Sequence, residues 1–252
     1  MSNHLFNKEI SFGLLPFETI YFDEKGPQFL WEHYNRLKRG HRILKFKFEL
    51  KFDDFNNKIV EEIGKIERPY GILKVIYFDD KLNIQFREFT YTQQQFMNGI
   101  KLRTSKCIRD SKNILNYLKT FNYGINYIED KRAKEKGFHS ALFLNEKGFI
   151  CETSYANIFF AKGKKIHTPH ISSGILKGIM REDVIKTLKN KGYKVIKDFI
   201  PFEDAEEFDE CFITNSVIGV LPVSKIDNLT FKGRNVFETI SKEDRFLRNW
   251  IK

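Results

Sequence analysis

The sequence predicts an α+β fold in two subdomains. Short β-branched or aromatic stretches pair around tight turns, and helical periods follow them without regular strand–helix–strand alternation. A polar segment at 105–116 breaks both periods and reads as an interdomain linker. The 252 residues suit one large domain or two small ones. The boundaries expected are 1–106 for an N-terminal α+β subdomain, 107–117 for the linker and 118–252 for a C-terminal subdomain.

Residues 17–22 are aromatic and β-branched and turn through 23–27 into 28–30, which reads as a β-hairpin. From Trp31 the period changes: Trp31, Tyr34, Leu37 and Lys38 sit at helical spacing toward Ile43 and Leu44, with Gly40 as a weak point. Residues 55–66 place Ile59, Ile63 and Ile66 on one helical face. A second hairpin is expected over 71–86. Beyond the linker, 126–136 is helix-like. Residues 141–144 with 149–152, and 157–160 with 165–167, read as two further hairpins. The stretch 179–190 is an amphipathic helix that ends in Lys189, Lys191 and Gly192, cations and a glycine where a C-terminus favours them.

Apolar residues make up 41% and charged residues 30%, enough to bury a core. No stretch approaches the roughly 20 apolar residues that cross a bilayer. Residues 1–10 carry neither an apolar export region nor a cleavage site, so a cytoplasmic protein with no membrane partner is expected. Cys107, Cys151 and Cys211 are odd in number and far apart, which argues against a disulfide framework or a structural zinc site. Forty-three Lys and Arg against 33 Asp and Glu leave a net charge of +10, which invites a nucleic-acid reading. The basic residues are interspersed with acidic ones, and no recognised DNA- or RNA-binding motif occurs. No nucleic-acid partner is expected. The excess is either compositional drift or an attraction for a small anionic substrate.

Neither a phosphate-binding P-loop nor a strand-linked dinucleotide fingerprint is present, and no paired-cysteine or His-Glu-x-x-His metal spacing occurs. The small-residue stretch Ser172-Ser173-Gly174 leads through Gly178 into the helix at Ile179, where backbone N–H groups and the helix dipole suit a phosphate. Standing alone, that stretch is more simply a tight turn. Asn215-Ser216 ends the apolar run 211–213 and offers a second anion contact, also weak by itself. Lys119 is one of many lysines, for which surface charge is the ordinary reading. Its apolar flanks beside the linker set it apart, because desolvation lowers a lysine pKa and frees the amine for covalent chemistry. Glu152 ends a mostly apolar strand, where a carboxylate calls for a cationic or N–H partner.

These residues carry a family resemblance. Glu18-Thr19, the run from His33 to Leu37, Lys119 with Asn122-Tyr123, the run from Gly148 through Glu152, Ser154 and Asn157 to Phe159, Thr168-Pro169, and Gly174 through Leu176 and Gly178 to Arg181 resemble the class IV aminotransferases in order and spacing. The likeness extends over residues 11–223. It implies a pyridoxal 5′-phosphate enzyme of fold type IV, D-amino acid aminotransferase-like, with two subdomains and the cofactor in the cleft between them. Lys119 matches the lysine that carries the cofactor and shuttles protons. Glu152 matches the carboxylate on the pyridine nitrogen, which keeps the ring electron-accepting. Arg36 matches the phosphate-binding arginine, suited by its bidentate fork. The backbone of Ile179 and Met180, with Asn215 and Ser216, would complete a phosphate cup. Leu176 would pack on the ring face, Tyr123 would bond the 3-oxygen, and Asn157 would support the Glu152 strand. A homodimer is implied as well.

Within the family, Thr214-Asn215-Ser216, Gly219 and Pro222-Val223 resemble the 4-amino-4-deoxychorismate lyases, which make 4-aminobenzoate and pyruvate for folate synthesis. Arg109, ten residues before Lys119, stands where similar lyases often have an arginine for a substrate carboxylate. Two departures, Gly13-Leu14-Leu15-Pro16 and His139-Ser140, lie near segments that shape the substrate side. The alternative within the family is an aminotransferase that acts on branched-chain or D-amino acids with a 2-oxo acid acceptor.

Overall fold

The structure is a computed structural model that describes residues 8–89, 91–246 and 248. Of the N-terminal stretch read above for export signals, residues 1–7 lie outside the described residues. The chain divides into two compact units, 1–90 with 118–123 and 91–117 with 124–252.

In the first unit, α1 (Lys8–Ser11) leads to β1 (Phe17–Asp23) and β2 (Gly26–Pro27), followed by α2 (Leu30–Leu44), α3 (Phe52–Gly64), β3 (Gly71–Phe78) and β4 (Lys81–Arg87). The strands form an antiparallel sheet in the order β2-β1-β3-β4, with Phe17 opposite Ile76 and Phe22 opposite Gly71. Asp79 and Asp80 take positive φ of 52° and 56°, the left-handed pair that closes a two-residue hairpin along the strand twist. One face of the sheet (Ile20, Phe22, Leu73, Val75 and Tyr77) packs on Tyr34 and Leu37 of α2 and Phe55 and Ile59 of α3. The first hairpin is shorter on its second side than the sequence suggests, because Phe29 turns left-handed at φ 55° and the helix starts at Leu30. Gly40 does not weaken α2, which runs through it. A Cβ there would lie 3.1 Å from Pro16 Cβ, so the glycine admits that ring.

The second unit comprises α4 (Gln93–Asn98), β5 (Ile100–Thr104), α5 (Gly124–Glu135), β6 (Ser140–Leu144), β7 (Ile150–Thr153), β8 (Asn157–Lys162), β9 (Lys165–Pro169), α6 (Ile179–Asn190), β10 (Lys194–Asp198), β11 (Glu210–Asn215), β12 (Gly219–Ile226), β13 (Leu229–Thr230) and α7 (Asn235–Ser241). Among the described residues these strands form one nine-stranded sheet, in the order β10-β9-β8-β11-β12-β5-β6-β7 with β13 on β12. Three of its pairings, β10 with β9, β12 with β5 and β5 with β6, are parallel. Central strands are buried on both faces: β8 reads Asn157-Ile158-Phe159-Phe160-Ala161 without an exposed residue. Ile158 and Phe160 join Ile213, Leu221, Ile226 and Phe231 in one cluster, and Phe159 stacks on Phe212 with centroids 5.1 Å apart.

The division differs from the one expected. The strand at 100–104 pairs with β12 and β6, with Ile100 opposite Val223 and Leu102 opposite Ser140, so it belongs to the second sheet. Residues 107–117 also lie in the second unit, and 118–123 return to the first. The apolar pattern of Ile100-x-Leu102 fits either sheet, and long-range pairing decides between them. No described helix is long and apolar enough to cross a membrane.

Candidate active site

In the first unit the chemistry collects around β1 and α2. Glu18 is fully buried on β1, in a strand whose other inward residues are apolar. His33 and Arg36, three apart on α2, share the helix face that meets it. Arg36 donates from Nε to Glu18 Oε1 (2.7 Å) and from Nη2 to Oε2 (2.5 Å), and His33 Nδ1 lies 2.6 Å from Oε2. Burial pushes the Glu18 carboxyl up, but the Arg36 charge and hydrogen bonds, aided by His33, outweigh it and hold the pKa at about 2. Burial pushes His33 down, against the pull of Glu18. Arg36 is raised by Glu18 despite its own burial. The result is an ionised carboxylate, an arginine cation and a neutral imidazole. The fork uses Nε and Nη2, so the Nη1 edge of Arg36 is turned away from Glu18.

Residues 119–121 run antiparallel to 15–17. Phe17 N donates to Lys119 O (2.9 Å), Phe121 N donates to Leu15 O (3.1 Å), and Pro16 bridges Thr120. These bonds fix the Lys119 backbone on the edge of β1. Its ammonium lies 4.4 Å from the Phe17 ring centroid and 5.4 Å from that of Tyr123, close enough for cation–π attraction. Tyr123 meets Phe17 edge-on, and its proximity to Arg36 is felt in the arginine's raised pKa. The first unit therefore brings Arg36, Lys119 and Tyr123 into one neighbourhood. Lys74 on β3, which no motif singles out, shares it. Its Nζ is 4.2 Å from the Phe121 ring and 4.8 Å from Phe17, and burial, then Arg87, lowers its pKa.

In the second unit the centre is Glu152 on β7. Its Oε1 accepts from Arg109 Nη1 (2.5 Å), and its Oε2 accepts from Asn157 Nδ2 (2.8 Å) and Leu176 N (3.2 Å). Three donors on a carboxylate only 7% exposed fix its orientation and meet its need for partners. Asn157 also donates to Leu176 O (3.0 Å), so the same amide ties Glu152 to the segment before α6. Gly178 follows directly: a Cβ there would lie 2.1 Å from Asn157 Oδ1, so only glycine fits. Gly178 is also the N-cap of α6 and has no side-chain capping bond, so the first-turn N–H groups of Ile179 and Met180 lack intrahelical acceptors. The strand end at Asn215 closes as a turn in which Asn215 Oδ1 accepts from Val217 N (2.8 Å) and Ile218 N (2.9 Å).

Arg109, expected at a substrate carboxylate, is a residue only 9% exposed whose guanidinium lies over the Phe143 ring and donates to Glu152 and to Gly174 O. Its geometry is that of a group that holds Glu152. A pairing across 43 positions leaves no trace in a single sequence. The Glu18 pairing was also missed, although a lone Glu in an apolar strand was its signal. The three cysteines are free thiols. Burial pushes Cys151 up to about 12 and Cys211 well above the ordinary value, which makes both inert. Among the described residues no group of His, Cys, Asp and Glu could hold a metal ion.

Residues 16–226 match the amino-transferase class IV family. The chain is 27% identical over 227 residues to a probable branched-chain-amino-acid aminotransferase of Thermotoga maritima, covering 90% of this chain and 82% of that one. It is similar in structure to a putative 4-amino-4-deoxychorismate lyase of Legionella pneumophila, with a TM-score of 0.85 and 26% identity over 93% of this chain and 91% of the other. The Escherichia coli branched-chain amino acid aminotransferase shares the fold, with a TM-score of 0.86 at 22% identity over 94% and 87% of the two chains.

Proposed function

The chain belongs to the class IV aminotransferases, a family of pyridoxal-phosphate enzymes, and from that premise we propose that it is a lyase converting 4-amino-4-deoxychorismate to 4-aminobenzoate and pyruvate. The residues present fit the cofactor: a lysine amine held at an aromatic platform, a carboxylate fixed by three donors, and a helix N-terminus kept open by Gly178. Lys119 would carry it, Glu152 would meet the ring nitrogen and Leu176 the ring face, and Tyr123 would bond the 3-oxygen. Arg36, the N–H groups of Ile179 and Met180, and Ser216 would take the phosphate, and Asn215, whose Oδ1 accepts from Val217 N and Ile218 N and whose Nδ2 donates to Tyr155 O, would shape the turn that presents Ser216. When bound, the cofactor supplies an electron sink for a carbanion. Arg109 and Asn157 orient Glu152 for that task. Lys119 Nζ takes the proton from the amine-bearing ring carbon. The C–O bond to the enolpyruvyl group then breaks, its oxygen leaves with the electron pair and gains a proton, and the ring becomes aromatic.

One observation carries the choice of lyase. An amino acid bears a carboxylate on the carbon that holds its amine, and a transaminase must supply donors for it. The amine-bearing carbon of 4-amino-4-deoxychorismate has no carboxylate. In this chain the amides that follow Ser216, at Val217 and Ile218, are taken by Asn215 Oδ1, so the turn has fewer donors to offer a second oxyanion. The lyase-like pattern of 214–223 and the likeness to the Legionella protein support the same reading. The test is release of 4-aminobenzoate by the purified protein without a 2-oxo acid acceptor. Borohydride reduction should fix the cofactor on Lys119 and leave Lys74 unmodified.

The curated relatives favour a second reading, a branched-chain aminotransferase. Conversion of branched-chain amino acids with 2-oxoglutarate, without 4-aminobenzoate release, would establish it and overturn the lyase. In either case we propose a homodimer. Ile125, Tyr127 and Ile128 leave α5 with an exposed apolar face, and light scattering would give the mass of the assembly.

A further inference from the structure

Arg248 is fully buried near the end of the chain. Its Nη2 donates to Ser216 O (2.9 Å) and its Nε to Val217 O (3.1 Å), while Nη1 donates to Arg245 O (3.0 Å). The same Nη2 lies 3.9 Å from Met180 Sδ, on the first turn of α6. A second contact from the same part of the chain reaches this turn. Gly219 has φ 66°, and a Cβ on it would lie 2.2 Å from the Phe246 carbonyl oxygen. Phe246 and Arg248 therefore brace residues 216–219 from behind, and Arg248 also touches the helix start that carries Met180.

We infer that Arg248 is a positioning residue for the cofactor's phosphate. The inference rests on the reading that Ser216 and the start of α6 receive that phosphate. A trans peptide directs its C=O and N–H to opposite sides. With the Ser216 and Val217 carbonyls drawn to one guanidinium and the Val217 and Ile218 amides drawn to Asn215, both peptide planes after Ser216 are fixed. Charge-assisted bonds of this kind are stronger than neutral ones and restrict the turn to one conformation. The Ser216 hydroxyl is thereby held ready for an anion, and the positive charge behind the turn adds to the field of the α6 terminus.

The test compares binding of pyridoxal 5′-phosphate and of pyridoxal, which lacks the phosphate, to the full-length chain freed of cofactor. The readout is the ratio of the two dissociation constants by absorbance titration. Arg248→Met should lower that preference about ten- to hundredfold, the effect of losing one or two charge-assisted bonds. Arg248→Lys, which keeps the charge and part of the bonding, should recover some of it. If both affinities fall together, or the ratio is unchanged, the positioning role is wrong. If Arg248→Met does not fold, Arg248→Lys decides by the same ratio, since an unchanged preference in that folded variant also overturns the role. Ser216→Ala is the control for the underlying reading. An intact preference there removes the phosphate site itself, whereas a collapsed preference there with an intact one in the Arg248 variants removes the role of Arg248 alone.

Discussion

Replacing Glu18 with glutamine keeps the side-chain shape and removes its charge. The wild-type carboxyl sits at about 2 against an ordinary 4.5. At roughly 1.4 kcal/mol per unit, that drop corresponds to about 3 kcal/mol of folding stability. An independent route gives a similar figure, since removing one partner of a buried ion pair costs about 3–5 kcal/mol. Because the folded-state pKa is depressed, the contribution is complete above pH 4.5 and is lost as the pH falls through about 2. Urea denaturation followed by far-ultraviolet circular dichroism should therefore show Glu18→Gln about 3 kcal/mol less stable than wild type at pH 7, with the gap closing toward pH 2. Adding Arg36→Met to Glu18→Gln should cost less than the sum of the two, since each single change strands the other's partner. A gap that stays constant from pH 7 to pH 2, or is already absent at pH 7, would refute the reasoning.

Gly178→Ala drives a methyl group into Asn157 Oδ1, so it should cost about 1–3 kcal/mol and reduce cofactor occupancy measured by absorbance. Wild-type melting and occupancy would show that Asn157 is not held as described. Arg109→Met leaves the Glu152 carboxylate buried without its cation and should cost about 3–5 kcal/mol, partly restored in Arg109→Lys. A rise in KM with melting temperature and cofactor spectrum unchanged would return Arg109 to a substrate contact. Cys151 and Cys211 should resist iodoacetamide at pH 8 in the native protein and react after denaturation, as read by mass spectrometry. Modification of either in the native state counts against their burial.

Local pattern made much of the architecture legible. The helix at Ile179–Asn190 and the hairpins around 141–152 and 157–167 carry their own periods and turn residues, and the chain folds there as read. Elements whose identity depends on distant partners were harder. The strand Ile100–Thr104 could have joined either sheet, and β10 and α7 have no strong period of their own. The candidate site divides the same way. Lys119, Arg36 and Glu152 stand out through motif spacing, whereas Lys74, the Glu18 carboxylate, the arginine on Glu152 and Arg248 behind Ser216 are placed by contacts between residues far apart in the chain.

The six residues 118–123 depart from the second unit, complete the first and go back again. A ribosome makes the chain from its N-terminus. The first ninety residues therefore wait, with Leu15 and Phe17 lacking their edge partners, until 91–117 have been made and the segment that pairs with them arrives. A gene cut at the boundary of the N-terminal block would yield a fragment without Lys119 and the segment that pairs with β1. A circular permutant or a chimera would have to carry 118–123 along with residues 1–90. Lys119 belongs to the last segment of its own unit to be synthesised, so the first ninety residues leave the ribosome without it.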